Sequence, residues 1–176
     1  MHIYITGIPG SGKSTLCQRV IKALNLSPSG YLTRKKMEDG IRVGFDLLSL
    51  THGETGEGVP VARFQEGGKP LVFQETFTRQ GTDALRNALK NGCDLILMDE
   101  IGRFEAGNAG FEKAVREVLD QKRIPVMAVL KKEDLPFIRE IWGRDDGLHL
   151  DLDEKNREAC YDEAIAHLAE KREERL

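Results

Sequence analysis

Apolar runs of strand length alternate with segments of helical periodicity along most of this chain, and no other feature restricts its fold as strongly. Near the start, residues 2–6 (HIYIT) form a β-branched run, and apolar residues then recur at helical spacing over residues 13–24. Later strand-like runs at 94–99, 124–130 and 148–152 are followed by helical patterns at 109–121, 135–142 and 154–172. Such alternation forms parallel βαβ units with helices on both faces of a sheet. We therefore expect a three-layer α/β/α fold around a mostly parallel sheet.

The region from Gly30 to Phe64 has a different pattern, in which strand-like pieces are separated by turn residues. YLTRKKM, the turn Glu38-Asp39-Gly40 and IRVGFDLLSL predict a β-hairpin, and VPVARF predicts a further strand after the glycine-rich HGETGEG. A helical pattern follows at 78–91. We expect a mostly antiparallel β insert at about residues 30–64, with the basic residues 34–36 at its solvated hairpin tip. The length of 176 residues fits one domain over residues 1–176.

Composition excludes several classes of protein. The chain has 26 Lys+Arg and 29 Asp+Glu, a net charge of −3, which provides no general attraction for nucleic acid. No apolar run approaches the roughly 18 residues of a membrane span, and the first residues lack the pattern of a secretory signal. Cys17, Cys93 and Cys160 have neither disulfide-frame nor zinc-site spacing, as expected in a reducing cytosol. We expect a cytoplasmic location without membrane or nucleic-acid partners.

Residues 7–14 (GIPGSGKS) match the pattern G-x-x-x-x-G-K-[ST] at every specified position, directly after a strand and at the start of a helix. Glycines allow the backbone to bend around a polyphosphate, and inward N–H groups and the helix N-terminus stabilise its charge. Lys13 is expected to bridge the β- and γ-phosphates, Ser14 to coordinate Mg²⁺ and Thr15 to contact the α-phosphate. The expected nucleotide-binding residues are Gly7, Ile8, Pro9, Gly10, Ser11, Gly12, Lys13, Ser14 and Thr15.

An acidic pair, Asp99 and Glu100, ends the strand LILMDE. Ligand sites in open parallel sheets lie at the carboxyl ends of strands, so Asp99 is expected to hold Mg²⁺ together with Ser14. Glu100 can accept a proton from an attacking water, as the general base for hydrolysis of the γ-phosphate. Arg103 follows three residues later and either neutralises transition-state charge or pairs with Glu105 or a neighbouring acid.

Several segments together resemble one family. TGIPGSGKSTL, GYLTRKKMEDGIRVGFDLLSL, DLILMDEIGRFE and the later KNRE are similar to the P-loop nucleoside-triphosphatases of the family that contains the cancer-related nucleoside-triphosphatase. The likeness covers residues 1–160 and is weaker around 65–80. Many families share the phosphate loop, whereas the hairpin pattern G-[FY]-x-T … R-x-G-F and the pattern D-E-I-G-[KR]-x-E are more particular.

The resemblance implies a P-loop NTPase fold with a RecA-like core, and slow Mg²⁺-dependent hydrolysis of several nucleoside triphosphates. It implies that Lys13, Ser14 and Thr15 contact phosphate and metal, that Asp99 is the magnesium carboxylate and that Glu100 is the base. The expected catalytic residues are therefore Glu100, Lys13 and Arg103.

Three other segments bear on the mechanism. Val129 stands where the family tends to have a hydroxyl residue that could sense the γ-phosphate, which fits a slow enzyme. Asn156-Arg157 recurs in the family and is expected near the base or at the end of the sheet, unless Asn156 caps the last helix. Residues 131–134 (KKED) resemble the guanine-reading N-K-x-D without its asparagine, so a GTPase stays an alternative and broad base tolerance fits better.

Three functions remain open from the sequence. Glu100 favours a triphosphatase with water as the acceptor. A small nucleotide or metabolite kinase could use the insert as its acceptor site, although Arg34, Arg42 and Arg63 are not clustered there. A nucleotide-dependent switch or assembly factor would keep the same phosphate-binding residues. The residues indicate no particular oligomeric state.

Overall fold

The computed structural model describes residues 1–173, which form an eight-stranded sheet with helices on both faces. The strands are β1 (His2–Gly7), β2 (Pro28–Glu38), β3 (Ile41–Thr51), β4 (Glu54–Arg63), β5 (Leu71–Val72), β6 (Leu95–Ile101), β7 (Val126–Leu130) and β8 (Gly147–Leu152). The helices are α1 (Lys13–Ala23), α2 (Gln74–Thr76), α3 (Thr82–Asn91), α4 (Ala109–Asp120), α5 (Pro136–Trp142) and α6 (Arg157–Glu173), and a π-helical turn (Phe77–Gly81) joins α2 to α3. The single domain stays a prediction, and residues 174–176, which it includes, lie outside the described residues.

The strand order across the sheet is β5-β4-β3-β2-β6-β7-β1-β8. Strands β2, β6, β7, β1 and β8 run parallel to one another, and β2 to β5 form an antiparallel series at one edge. Helices α1 and α6 cover one face of the sheet, and α3, α4 and α5 cover the other. The expected three-layer α/β/α fold, a mostly parallel sheet with an antiparallel insert, is therefore confirmed.

The antiparallel region is joined to the parallel sheet through β2, which belongs to both. Residues 28–32 pair with β6 in parallel register, and residues 30–38 pair with β3 in antiparallel register. The sequence analysis predicted that this whole region is an insert added to the parallel sheet. In the structure, its first strand, β2, is itself a strand of the parallel sheet. Gly30 makes the close approach possible: its φ is +127°, and a Cβ there would lie 2.2 Å from the carbonyl oxygen of Leu97.

The hairpin turn lies at Asp39 and Gly40, both with positive φ, as in a type I′ turn. The expectation that residues 34–36 form the hairpin tip was wrong, because these residues lie on β2 before the turn. The glycine-rich stretch 52–58 is likewise mostly strand, since β4 begins at Glu54.

Two apolar clusters fill the space between the sheet and its helices. Ile3, Ile5 and Leu97 meet α1 and α6 on one face, and Met98 and Phe111 lie in the cluster on the other. Burial of this apolar surface stabilises both helix layers on the sheet. In the part of the chain that the structure describes, no helix has the length and apolarity of a membrane span.

The sheet topology brings separate loops to one edge. Strand β7 lies between β1 and β6, with Val129 in register with both Ile5 and Asp99. Since the three strands are parallel, their carboxyl ends share one edge of the sheet, where ligands bind in folds of this type. The loop after β1 and the acidic pair of β6 therefore meet across the end of β7.

Candidate active site

The loop between β1 and α1 curls around the ammonium group of Lys13. The Lys13 Nζ donates hydrogen bonds to the carbonyl oxygens of Gly7, at 3.0 Å, and Ile8, at 3.2 Å. Gly7 must be glycine because its φ is +147° and a Cβ would lie 2.4 Å from the carbonyl oxygen of Leu152. Gly12 has a φ of +102° and directly precedes the first turn of α1. The loop and the helix N-terminus together form a cradle of the kind that binds phosphate.

Arg157, the first residue of α6, holds this loop from its outer side. Its Nε donates to the carbonyl oxygen of Ser11 at 2.7 Å and its Nη2 to that of Gly10 at 3.2 Å. Asn156 bonds the backbone on either side of the end of β8, at the carbonyl oxygen of Asp151 and the N–H of Asp153. Of the placements that the sequence left open for this pair, Asn156 braces the end of the sheet. Arg157 contacts the phosphate loop, which the sequence did not predict.

Asp99 is buried behind the loop, and burial raises the pKa of its carboxyl to about 6. A hydrogen bond with Ser14 lowers this pKa, the charge of Glu100 raises it and that of Lys13 lowers it. The Ser14 hydroxyl and the Asp99 carboxylate are hard oxygen donors, which suit a cation such as Mg²⁺.

The donor set also fits a metal that is shared with a nucleotide. Among residues 1–170, whose side chains the structure describes, no cluster of three or more His, Cys, Asp or Glu could hold a metal ion on its own. A cation beside Ser14 and Asp99 would therefore take its other ligands from phosphate and water, the usual arrangement for Mg²⁺ at triphosphate sites.

The Glu100 carboxylate lies between two lysines. Its Oε2 is 3.9 Å from the Nζ of Lys13, and its Oε1 is 3.4 Å from the Nζ of Lys131. Strand β2 holds the backbone of the same residue, because the Glu100 N–H donates to the Thr33 Oγ1 and the Tyr31 hydroxyl donates to the Glu100 carbonyl. The signal for Tyr31 and Thr33 was the pattern G-[FY]-x-T, whose role the sequence did not reveal.

A buried glutamate fixes the loop that follows the acidic pair. The Gly102 N–H donates to Glu105 Oε2 at 2.8 Å, and burial raises the pKa of Glu105 to about 7, although the charge of Lys131 acts in the opposite direction. Arg103 is instead exposed, with its Nε 3.6 Å from Glu133 Oε1. The ion pair expected for Arg103 thus exists with Glu133 rather than with Glu105, and a role of Arg103 in the transition state stays a prediction.

A cleft of about 1130 Å³ opens in front of these groups. The phosphate loop, the acidic pair and the antiparallel region all line it. The antiparallel region contributes Thr33, Lys35, Arg42, Phe45 and Phe64. The guanidinium of Arg42 lies 5.4 Å from the centre of the Phe45 ring and 5.3 Å from that of Phe64. The cleft therefore extends well beyond the phosphate loop.

Two further sequence features have defined places. Val129 is completely buried in β7, so it offers no hydroxyl group to a phosphate, as the sequence indicated. In the KKED segment, Lys131 pairs with Glu100 and Asp134 pairs with Arg139 of α5. The first lysine of that segment thus lies next to the acidic pair.

Comparison with known proteins agrees with this geometry. A family model described as NTPase matches residues 2–165. The chain is 34% identical over 170 residues to nucleoside-triphosphatase THEP1 of Thermotoga sp. strain RQ2, which covers 96% of this chain and 95% of that protein. It is also 29% identical over 187 residues to the cancer-related nucleoside-triphosphatase homolog of Bos taurus, with coverage of 97% and 98%.

Solved structures show the same architecture. The crystal structure of THEP1 from Aquifex aeolicus superposes with a TM-score of 0.76 at 25% identity and covers 96% of this chain and 99% of that one. The solution structure of a human cancer-related nucleoside triphosphatase gives a TM-score of 0.73 at 25% identity, with coverage of 94% and 95%. Fold, phosphate loop and acidic pair thus agree with the family match, and the chain belongs to the NTPase family.

Proposed function

We propose that this protein hydrolyses nucleoside 5′-triphosphates to the diphosphate and phosphate, slowly, with Mg²⁺ and with little preference for the base. The observation that carries the proposal is the position of Glu100, whose carboxylate oxygen lies 3.9 Å from the ammonium of the phosphate-loop residue Lys13. A carboxylate so close to the phosphate cradle can act on a nucleophile at the γ-phosphate. Relatives named nucleoside-triphosphatases support the same activity.

The residues divide the work of hydrolysis. The loop N–H groups and Lys13 bind the β- and γ-phosphates, and Mg²⁺ held by Ser14 and Asp99 would neutralise charge on the same oxygens. The water oxygen forms a bond to the γ-phosphorus while the bond from that phosphorus to the bridging oxygen breaks. The electron pair of that bond stays on the diphosphate, and the proton of the water moves to Glu100.

Tolerance of different bases follows because the affinity for the nucleotide comes from its phosphates and the metal and not from its base. The groups described above bind phosphate and metal, and these are common to all nucleoside triphosphates. The KKED segment lacks the asparagine of a guanine-reading loop, and its Asp134 is already paired with Arg139. We therefore expect ATP, GTP, CTP and UTP all to be hydrolysed.

The direct test is release of phosphate from each of the four nucleotides with Mg²⁺ and no added acceptor. We expect steady release from all four, and its loss when EDTA removes the metal. Lys13→Ala should reduce release by about 100-fold or more, because one preorganised donor to developing charge contributes on this scale. The proposal is wrong if the wild-type protein releases no phosphate, or if Lys13→Ala releases as much as wild type.

The size of the cleft favours one second candidate, a kinase that uses the same phosphate loop. Lys35, Arg42, Phe45 and Phe64 line the same cleft and offer cationic and aromatic groups to an acceptor. A kinase must keep water out until its acceptor binds. Nucleotide consumption that begins only after a nucleoside, sugar or vitamin is added would therefore identify the kinase and exclude the hydrolase.

A further inference from the structure

We propose that Lys131 is a positioning residue for Glu100. The ammonium group of Lys131 holds the Glu100 carboxylate in place for the water when Lys13 binds phosphate. The inference rests on the proposed hydrolysis and adds a residue to it. Lys131 follows β7 and is 31 positions away from Glu100 in the sequence, but its Nζ lies 3.4 Å from Glu100 Oε1. It is thus the nearer of the two lysines that flank the carboxylate.

The two lysines have different roles. Lys13 already donates to the carbonyl oxygens of Gly7 and Ile8 inside the phosphate loop, which is where a triphosphate would attract it. Its distance to Glu100, 3.9 Å, is also the longer one. A bound triphosphate would both engage Lys13 and repel the Glu100 carboxylate, since like charges at this range disfavour each other. Lys131 supplies the positive charge that remains next to Glu100.

The side chain of Lys131 is fixed on three sides. Its ammonium lies 5.0 Å from the ring centre of Phe104 and 5.5 Å from that of Phe45, so both aromatic faces stabilise the cation. Its aliphatic stem passes over Gly102, where a Cβ would lie 2.5 Å from the Lys131 Cδ. A lysine held in this way loses little conformational entropy when it keeps the carboxylate in place.

The most particular sequence patterns of the chain converge on this pair. The pattern G-[FY]-x-T provides Tyr31 and Thr33, which bond the backbone of Glu100. The pattern R-x-G-F provides Phe45, and D-E-I-G provides the open space at Gly102. None of these groups belongs to the phosphate loop. All three patterns therefore provide residues that position either Glu100 or Lys131.

The test begins with Lys131→Met, which keeps a stem of similar length against Phe45, Phe104 and Gly102 and removes only the charge. We expect kcat to fall by about 10- to 100-fold with the nucleotide Kd within twofold of wild type, since the loss cannot exceed that of the base itself. Lys131→Arg should restore most of the rate. The matched control is Lys132→Met, since the Lys132 ammonium bonds Asp151 instead.

Combination with Glu100→Gln separates positioning from a direct effect on phosphate. If Lys131 acts through Glu100, adding Lys131→Met to Glu100→Gln should lower the single-turnover rate by no more than about twofold. The reason is that the Glu100→Gln protein has no carboxylate left for Lys131 to hold in place. An equal fall in both backgrounds, or a weaker Kd without a change in kcat, would overturn the proposal.

A second variant avoids any change at the lysine itself. Gly102→Ala should move the Lys131 stem and lower kcat while leaving the Kd near wild type, because the atoms nearest to the new Cβ belong to the side chains of Lys131 and Glu133 and not to the backbone. Wild-type kcat in both Lys131→Met and Gly102→Ala would refute the inference and leave the hydrolase intact. Absence of phosphate release from the wild-type protein would instead refute the proposed function.

Discussion

At the scale of single residues, two buried carboxyl groups set the electrostatics behind the cleft. Burial raises the pKa of Asp99 to about 6 and that of Glu105 to about 7. Asp99 would gain a cation as its partner when Mg²⁺ binds, whereas Glu105 holds the loop through the Gly102 N–H. Burial of the charged form of Glu105 is therefore unfavourable, but the side chain fixes the conformation of the loop that follows the acidic pair.

This cost predicts a pH dependence of stability that Glu105→Gln should remove. A carboxyl whose pKa is raised on folding contributes stability below its unfolded pKa, near 4.5, and loses it as the pH rises through about 7. Between pH 4.5 and 8, the free energy of unfolding of the variant should therefore rise relative to wild type by about 2–3 kcal/mol.

Urea denaturation of both proteins across this range measures the difference, in which the contributions of other titrating groups cancel. The glutamine side chain can still accept from Gly102, so the hydrogen bond is not the variable. A difference between the two proteins that does not change with pH would show that Glu105 is not a buried, titrating carboxyl.

The sequence could predict those site residues whose pattern is local. Lys13 and Ser14 follow from consecutive residues of one loop, and Asp99 and Glu100 follow from the end of one apolar run. Arg157 could not be placed in the same way, because its partners lie 146 and 147 positions away. Long-range contacts of this kind depend on strand order, which local periodicity does not contain.

At the scale of secondary structure, β2 is the element on which the antiparallel region depends. It pairs with β6 on one side and β3 on the other, and Gly30 lies in the segment that pairs with both. A Cβ at Gly30 would lie 2.2 Å from a backbone oxygen of Leu97, which cannot move without breaking the parallel ladder.

We predict that Gly30→Ala destabilises the protein by about 3 kcal/mol or more, through backbone strain and the clash with β6. Gly40→Ala is the matched control: its φ is also positive, but a Cβ there would meet no atom within 4 Å. It should cost only about 1–2 kcal/mol, the penalty of the left-handed conformation. Urea denaturation measures both variants, and equal losses would show that the contact with Leu97 is not limiting.

Hydrophobic periodicity predicted the long helices and the strands of the parallel sheet, because each buries one side or both sides in an apolar cluster. It missed β5, which has two residues, and the π-helical turn Phe77–Gly81, which lies at the start of a predicted helix. Neither is long enough to show a period. It also treated β2 as part of an insert, because pairing on both sides of a strand leaves no separate sequence signal.

At the scale of the whole molecule, the position of β7 between β1 and β6 brings together the two loops of the candidate active site. That order places the end of β7 between the phosphate loop and the acidic pair, and it brings Lys131 next to Glu100. The sequence predicted a parallel sheet but not its strand order. It therefore predicted the phosphate loop and the acidic pair but not the contact of Lys131 with Glu100.

The most direct measurement of the central claim compares nucleotide binding with turnover in Glu100→Gln. The variant keeps the size of the side chain and removes the proposed base, which in our account acts on water and not on the bound nucleotide. With Mg²⁺ present, we predict a Kd for ATP within about threefold of wild type and phosphate release reduced by about 100-fold or more. A Kd that weakens in proportion to the lost turnover, or phosphate release at the wild-type rate, would contradict the assignment of Glu100 as the base.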